Sequence, residues 1–350
     1  MNENQHGLSF LHPSSLPPSS LRFAVLAQST APMHLNLPII ASAADYDLHF
    51  NDEVWLHAAS VICERHHLPL TTLRRSPLGE NIIFFTDSAF VIKIFAPFRS
   101  QYLRERAALE FARGKLAIET PRLLHAGELE DWPYLVMTYL KGVPAREVWA
   151  EIEESERLEI ATQLGVAMRE LHSHTDLPSE EALNRDWQAF VDQKAREAIE
   201  RQRACGANPE WLESLPAYIS ASLPLLPTEF RRVMLHGDIH PGNVLLVKKN
   251  GRWRVSGLFD FGDSFCGFHE YEFVAPGVLM VQGRSEEQRA MLRAYGYHES
   301  ELNQNLRARL MLLTILYECS DLRKYALRLR PDAVNLTLNE LERAIWTFAD

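Results

Sequence analysis

The chain has 350 residues, 46% of them hydrophobic, with 36 Lys plus Arg against 46 Asp plus Glu for a net charge of −10. That length holds two medium domains or one large bilobal unit, and the negative balance excludes a general nucleic-acid binder, which needs a basic surface to neutralise phosphates. Four cysteines at 63, 205, 266 and 319 form no CxxC pair or zinc-like spacing, so free thiols in a reducing, cytoplasmic setting are expected.

No stretch reaches the roughly 18 apolar residues that span a bilayer, so no membrane association is expected. Residues 1–45 read as a flexible leader. SFLHPSSLPPSS is rich in Ser and Pro, and a single Arg22 is too little for a transit peptide. Met33 is a candidate true start. From residue 52 a helix is expected through His66, opened by Asp52-Glu53. Three short apolar runs follow: TTLRR, NIIFFT with a turn at Asp87-Ser88, and AFVIKIF. They predict an antiparallel meander. A helix over 100–114 and a hairpin over RLLHAGELEDWPYLVMTYL complete an N-lobe spanning 46–140.

After Gly142 the periodicity becomes helical. Ile160, Leu164, Ala167, Met168 and Leu171 line one face of a helix over 155–173. Further helices are expected over 186–204, 208–222, 286–296, 299–330 and 333–348. One β-like island, 233–262, interrupts them, and its Asn250-Gly251 pair between apolar runs predicts a hairpin turn. The C-lobe is therefore 141–350. The fold class is α+β and bilobal, with a small antiparallel-sheet N-lobe and a larger helical C-lobe.

The island carries the chemistry. In HGDIHPGN, Asp238 and Asn243 lie five residues apart, and Asp260-Phe261-Gly262 follows 17 residues after Asn243, across the hairpin. Phosphoryl transfer needs one carboxylate to orient the acceptor hydroxyl, which is Asp238, and oxygen ligands for Mg²⁺, which are Asn243 and Asp260. Lys93 sits mid-strand in VIKI, where a buried ammonium needs an anion. Nucleotide phosphates and a helix glutamate would supply it. Glu105 and Glu110 are the candidates for that glutamate, with Glu105 preferred. The turn Ser76-Pro77-Leu78-Gly79-Glu80-Asn81 has one glycine for close approach to phosphate, and Ser76, Gly79 and Asn81 are assigned to it. The segment joining the lobes, with Met137, Thr138, Tyr139 and Leu140, is placed against the nucleobase, backbone groups from Thr138 to Leu140 reading its edge.

HGDIHPGNVLL followed by LFDFGDSFCGFHEYEF resembles the aminoglycoside phosphotransferase family, a branch of the protein-kinase-like fold whose members include aminoglycoside, choline and homoserine kinases. The likeness covers about residues 70–320. It implies a catalytic Asp238, metal ligands Asn243 and Asp260, and a nucleotide-binding Lys93. LRERAALEF matches the family's helix after that strand and supports Glu105, and His172 matches a helix ending, where a packed structural role is expected. LHGD in place of HRD, and no Ala-Pro-Glu after the DFG, disfavour a protein kinase. Gly267-Phe268-His269 departs from the family's usual Gly-Asp-Pro, and Tyr271-Glu272-Phe273 has Glu where Asp is common. Hygromycin kinases share that Tyr-Glu. His240 either touches the γ-phosphate or serves loop structure.

The expected function is an ATP-dependent kinase, GTP remaining open, acting on a hydroxyl of an aminoglycoside-like or other cationic small molecule. A nucleotide-binding pseudokinase is the alternative. Acceptor contacts are expected from Asp263, Glu270 and Glu272. Residues 151–200 hold 13 acidic and 5 basic side chains, which places the acidity on the first C-lobe helices and suggests a grip on ammonium groups. Oligomeric state is not set by the sequence.

Overall fold

The computed structural model describes residues 35–69, 72–77, 79–86 and 89–349. Residues 1–34, including Met33, and the Asp87-Ser88 turn lie outside them. Residues 35–45, expected as leader, are packed. Leu35, Leu37 and Ile40 are buried, and the Leu35 and Leu37 amides both donate to the Glu130 carboxylate. These apolar side chains join the core beneath the N-terminal sheet, a contribution that composition alone concealed.

Helices α1 (Ala43–His49) and α2 (Val54–Arg65) precede strands β1 (Leu73–Arg75), β2 (Ile82–Thr86) and β3 (Phe90–Ile94). Helix α3 (Gln101–Ala112) follows, then β4 (Leu123–Leu129) and β5 (Trp132–Thr138). The five strands form one antiparallel sheet in the order β1-β2-β3-β5-β4. Strand alternation divides its faces. Ile82, Phe84, Ile92, Ile94 and Val136 pack with Trp55, Ala58 and Ile62 of α2. Lys93, paired in register with Leu135, points the other way, toward α3 and the cleft.

The C-lobe holds two small antiparallel units. Strand β6 (Val143–Pro144) pairs with β8 (Val244–Lys249), which pairs with β9 (Arg252–Leu258), and β7 (Val233–Leu235) pairs with β10 (Phe265–Gly267). Around them lie α4 (Ala145–Val148), α5 (Glu154–Ser173), α6 (Trp187–Ala204), α7 (Pro209–Ser222), α8 (Val274–Leu279), α9 (Ser285–Tyr295), α10 (Gln304–Leu316), α11 (Leu322–Leu329) and α12 (Leu338–Ile345). The hairpin turn falls at Asn250-Gly251 as its sequence indicates, both residues having positive φ. Among the described residues no helix is long and apolar enough to cross a membrane.

Two expected long helices are broken. The helix over 299–330 is α10 and α11, separated where Tyr317 turns extended (φ −57°, ψ 140°) and Asp321 caps α11 by accepting the Lys324 amide. The helix over 333–348 shortens to α12, which starts at a Thr337–Glu340 capping box. Apolar periodicity continued across both breaks; the caps decided otherwise.

Helices α5 and α9 cross closely at Gly165, where an added Cβ would lie 2.2 Å from the Met291 carbonyl oxygen. Backbone cannot yield as a side-chain tip does. Gly165→Ala should therefore destabilise the protein by about 1–3 kcal/mol, read as a lower midpoint in thermal or denaturant unfolding; an unchanged midpoint would show that the crossing is loose.

Candidate active site

The loop after β7 is pinned from beneath. The Glu272 carboxylate accepts the His236 amide at 2.7 Å and the Gly237 amide at 2.9 Å, and lies 3.3 Å from the His172 ring. Gly237 (φ +81°) allows the loop to pass the Asp263 carbonyl, which a Cβ would approach to 2.5 Å. The fully buried His236 accepts the Asp238 amide on Nδ1 at 3.3 Å, so its Nε2–H donates to the Phe259 carbonyl at 3.1 Å. Burial lowers the affinity of that ring for a second proton, consistent with this neutral arrangement.

Asp238 stands at the centre of the loop. Its Oδ1 accepts the Tyr317 hydroxyl at 2.9 Å and its Oδ2 accepts the Asn243 amide Nδ2 at 3.1 Å. The His240 Nδ1 accepts the Gly242 amide at 2.9 Å, which leaves the hydrogen on Nε2, 3.3 Å from Asp238 Oδ2. Burial and the Asp238 charge hold the Tyr317 hydroxyl well above its usual range, so it remains a donor. Because Asn243 spends its Nδ2 on Asp238, its Oδ1 is turned elsewhere.

Across the hairpin, Asp260 adopts a left-handed backbone (φ 67°, ψ 70°), a conformation costing a non-glycine residue about 1 kcal/mol or more. It places Asp260 Oδ1 2.7 Å from Lys93 Nζ, whose other partner is Glu105 Oε2 at 2.6 Å. Burial alone would discharge the Lys93 ammonium; the two carboxylates outweigh it and raise its proton affinity. Burial likewise opposes ionisation of Asp260, and Lys93 more than offsets it. Asp260 keeps 41% of its side chain open to the cleft, against 2% for Glu105. The donors Asn243 and Asp260 are hard oxygens, and Asp260 is open to the cleft, which suits an ion that completes its shell with water and phosphate. Among the described residues no cluster of three His, Cys, Asp or Glu forms a closed metal cage.

The nucleotide-side assignments are placed as follows. Gly79 has a positive φ of 111°, the Ser76 amide donates to the Ile83 carbonyl at 2.8 Å, and Asn81 is buried with its Oδ1 unpartnered within the protein. Met137 is buried in β5. The Thr138 and Tyr139 amides, expected to be available to a base, are committed to the Arg122 and Ala89 carbonyls, each at 3.0 Å. That narrows the edge-reading amide to Leu140.

The acceptor-side expectations change most. Glu270 is buried and held bidentately by Arg309 (2.6 and 2.8 Å) and by the Tyr297 hydroxyl at 3.1 Å. Glu272 is the loop clamp described above. Both carboxylates are therefore structural, and only Asp263 of the three opens to the cleft, with 45% of its side chain exposed. The acidic run in 151–200 is also spent elsewhere. Glu156 accepts the Trp253 amide, Glu159 pairs with Arg254, Glu170 accepts the Ala117 amide, Asp176 pairs with Lys115, and Asp186 caps α6. Unanticipated residues take their place: Tyr317 and Glu318 from the break between α10 and α11, with Arg104, Arg185 and Lys194. Apart from Arg104, which adjoins Glu105, their chain separation from the motif left no local signal.

Residues 79–312 match the model of the phosphotransferase enzyme family. Hydroxylysine kinase of Mus musculus is 29% identical over 150 residues, so the match spans 40% of this chain and 39% of that relative's length. The GDP complex of wild-type aminoglycoside 2'-phosphotransferase-IIIa superposes with a TM-score of 0.61 at 17% identity, covering 83% of this chain and 98% of the other. The macrolide 2'-phosphotransferase of Brachybacterium faecium does so with a TM-score of 0.53 at 19% identity, covering 82% and 97%. At these identities the solved structures show a shared fold.

One pH effect follows from the packing beside this site. His269 stacks on Tyr295, lies 2.9 Å from the Tyr297 hydroxyl, and is pushed down to about 4, chiefly by burial and then by His172 and Arg309. The unfolded ring takes a proton near pH 6.5, so between about 6.5 and 4 the unfolded state binds more protons. Stability from this group is present above that window and lost as pH falls through it. His269→Phe should therefore lose less melting temperature than the wild type between pH 7 and pH 5; equal losses would reject the assignment.

Proposed function

The chain belongs to the phosphotransferase enzyme family, and from that premise we propose that it transfers the γ-phosphate of ATP or GTP to a hydroxyl of a small, amine-bearing molecule. The observation that carries this reading is the Asp238 carboxylate, oriented by Tyr317, Asn243 and His240 in the same cleft as the Lys93–Asp260 pair. Asp238 accepts the proton of the acceptor hydroxyl as its oxygen bonds to phosphorus and the bond to the nucleoside diphosphate breaks. Holding the carboxylate at both oxygens fixes where that hydroxyl must sit.

Asn243 Oδ1 and Asp260 would hold Mg²⁺, which when bound neutralises charge on the phosphates. Lys93 would pair with the phosphates while Glu105 keeps its ammonium in place, and Leu140 would read the base with Ser76, Gly79 and Asn81 forming the covering turn. Hydroxylysine and aminoglycosides, the acceptors named for two relatives, both carry amines beside hydroxyls, which supports an amine-bearing acceptor. The grip on that amine falls to Asp263 and Glu318. Abundant nucleotide and reduced thiols favour the cytoplasm as the setting.

Asp238→Asn should lower kcat by about a hundredfold to ten-thousandfold with nucleotide affinity retained, measured by coupled nucleoside diphosphate release; full turnover in that variant would sink the assignment. Asp260→Ala should act differently. Isothermal titration is expected to show Mg-nucleotide affinity falling at least about tenfold while metal-free nucleotide binding changes little. Unchanged Mg-nucleotide affinity would remove Asp260 as a ligand.

A further inference from the structure

The cleft wall next to Asp238 carries two arginines, Arg104 and Arg185, that a purely cationic acceptor would not need. Arg104, next to Glu105 on α3, is only 8% exposed, its Nε is buried without a partner within the protein, and its Nη2 reaches Asp263 Oδ1 no closer than 3.9 Å. A buried guanidinium with so little compensation is costly. Arg185 donates to Glu318 Oε1 at 2.8 Å, and Lys194 lies 3.6 Å from the same oxygen. The Arg185 guanidinium lies 4.8 Å from the centre of the Phe265 ring, which fixes its direction. Arg185 also lies close enough to Arg104 to repel its charge, a second cause after burial for the lowered proton affinity of Arg104. Three cations thus stand among three carboxylates, Asp263, Glu318 and Glu197, the last also 3.6 Å from Lys194, and Arg104 is the cation with the weakest pairing.

We propose that this patch binds a carboxylate on the acceptor, so that the acceptor is a hydroxylated α-amino acid whose carboxylate is held by Arg104 and Arg185 and whose ammonium is held by Asp263 and Glu318. The inference rests on the kinase reading above and deepens it. Both signs of charge lie side by side, Asp263 3.9 Å from Arg104 and Glu318 2.8 Å from Arg185, and a guanidinium recognises carboxylate in a planar, two-point fashion that a lysine cannot match. The orphaned Nε of Arg104 gains its missing acceptor when such a group arrives.

The test uses the full-length protein with Mg-ATP and a panel of hydroxy-α-amino acids, hydroxylysine included, each compared with the amino alcohol left when its carboxylate is removed. At least one amino acid should be phosphorylated with kcat/KM about tenfold to a hundredfold above its decarboxylated partner. Arg185→Gln and Arg104→Gln should each erase most of that advantage, the loss appearing in the acceptor's KM and leaving the nucleotide's KM in place. Amino alcohols that match or exceed the amino acids would overturn the proposal. So would variants whose defect lies in the nucleotide's KM, since the arginines would then serve the phosphates. Calorimetric binding of the same panel separates the two readings. Amino acids that bind through Arg185 without being phosphorylated would fail the kinase reading and keep this one, whereas the absence of zwitterion binding with phosphate transfer to other acceptors would do the reverse.

Discussion

The Lys93 ammonium, held 2.6 Å from Glu105 and 2.7 Å from Asp260, joins three segments that are far apart in sequence. Strand β3 supplies the cation, α3 one carboxylate, and the turn after β9 the other. Removing one partner from such a buried pair leaves an uncompensated charge costing about 3–5 kcal/mol, so each segment constrains the other two. Keeping that one charge neutralised ties the sheet, α3 and the left-handed turn at Asp260 to one another. The arrangement is useful because Asp260 remains open to the cleft on its other side.

A second carboxylate plays the corresponding part below the cleft. Glu272 gathers the amides of His236 and Gly237 and stiffens the loop from which Asp238 and Asn243 project. Thus the site is built from charges of two kinds: buried ones that hold neighbouring groups in place, and open ones that face the cleft. Glu105, Glu270 and Glu272 belong to the first kind, Asp238, Asp260, Asp263 and Glu318 to the second. Burial divides them; residue type does not.

That division explains how far the amino-acid sequence could be read. Lys93, Asp238, Asn243 and Asp260 were legible because short motifs and one hairpin bring them near each other, and the meander and helix α3 were legible from period and turn residues. Glu270 and Glu272 were read as open to an acceptor because a count of carboxylates cannot distinguish a clamp from a pocket wall. The acidity of 151–200 was read the same way, although Glu156, Glu159, Glu170, Asp176 and Asp186 are spent on neighbouring amides, arginines and lysines. Tyr317 had no signal at all. It reaches Asp238 from 79 residues away, and only the break between α10 and α11, hidden within a continuous apolar period, turns its hydroxyl toward the cleft.

That break also separates two tasks along the chain. The groups proposed to handle phosphate stand on the sheet, α3 and the hairpin, whereas Tyr317 and Glu318 reach the cleft from a short extended stretch between two independently capped helices. On the proposed reading, changing the length or composition of that stretch would alter what meets Asp238 on the acceptor side while Lys93, Asn243 and Asp260, which stand on other segments, keep their places. Selection can therefore retune which molecule is modified through a few residues of linker, while the machinery of transfer is inherited intact.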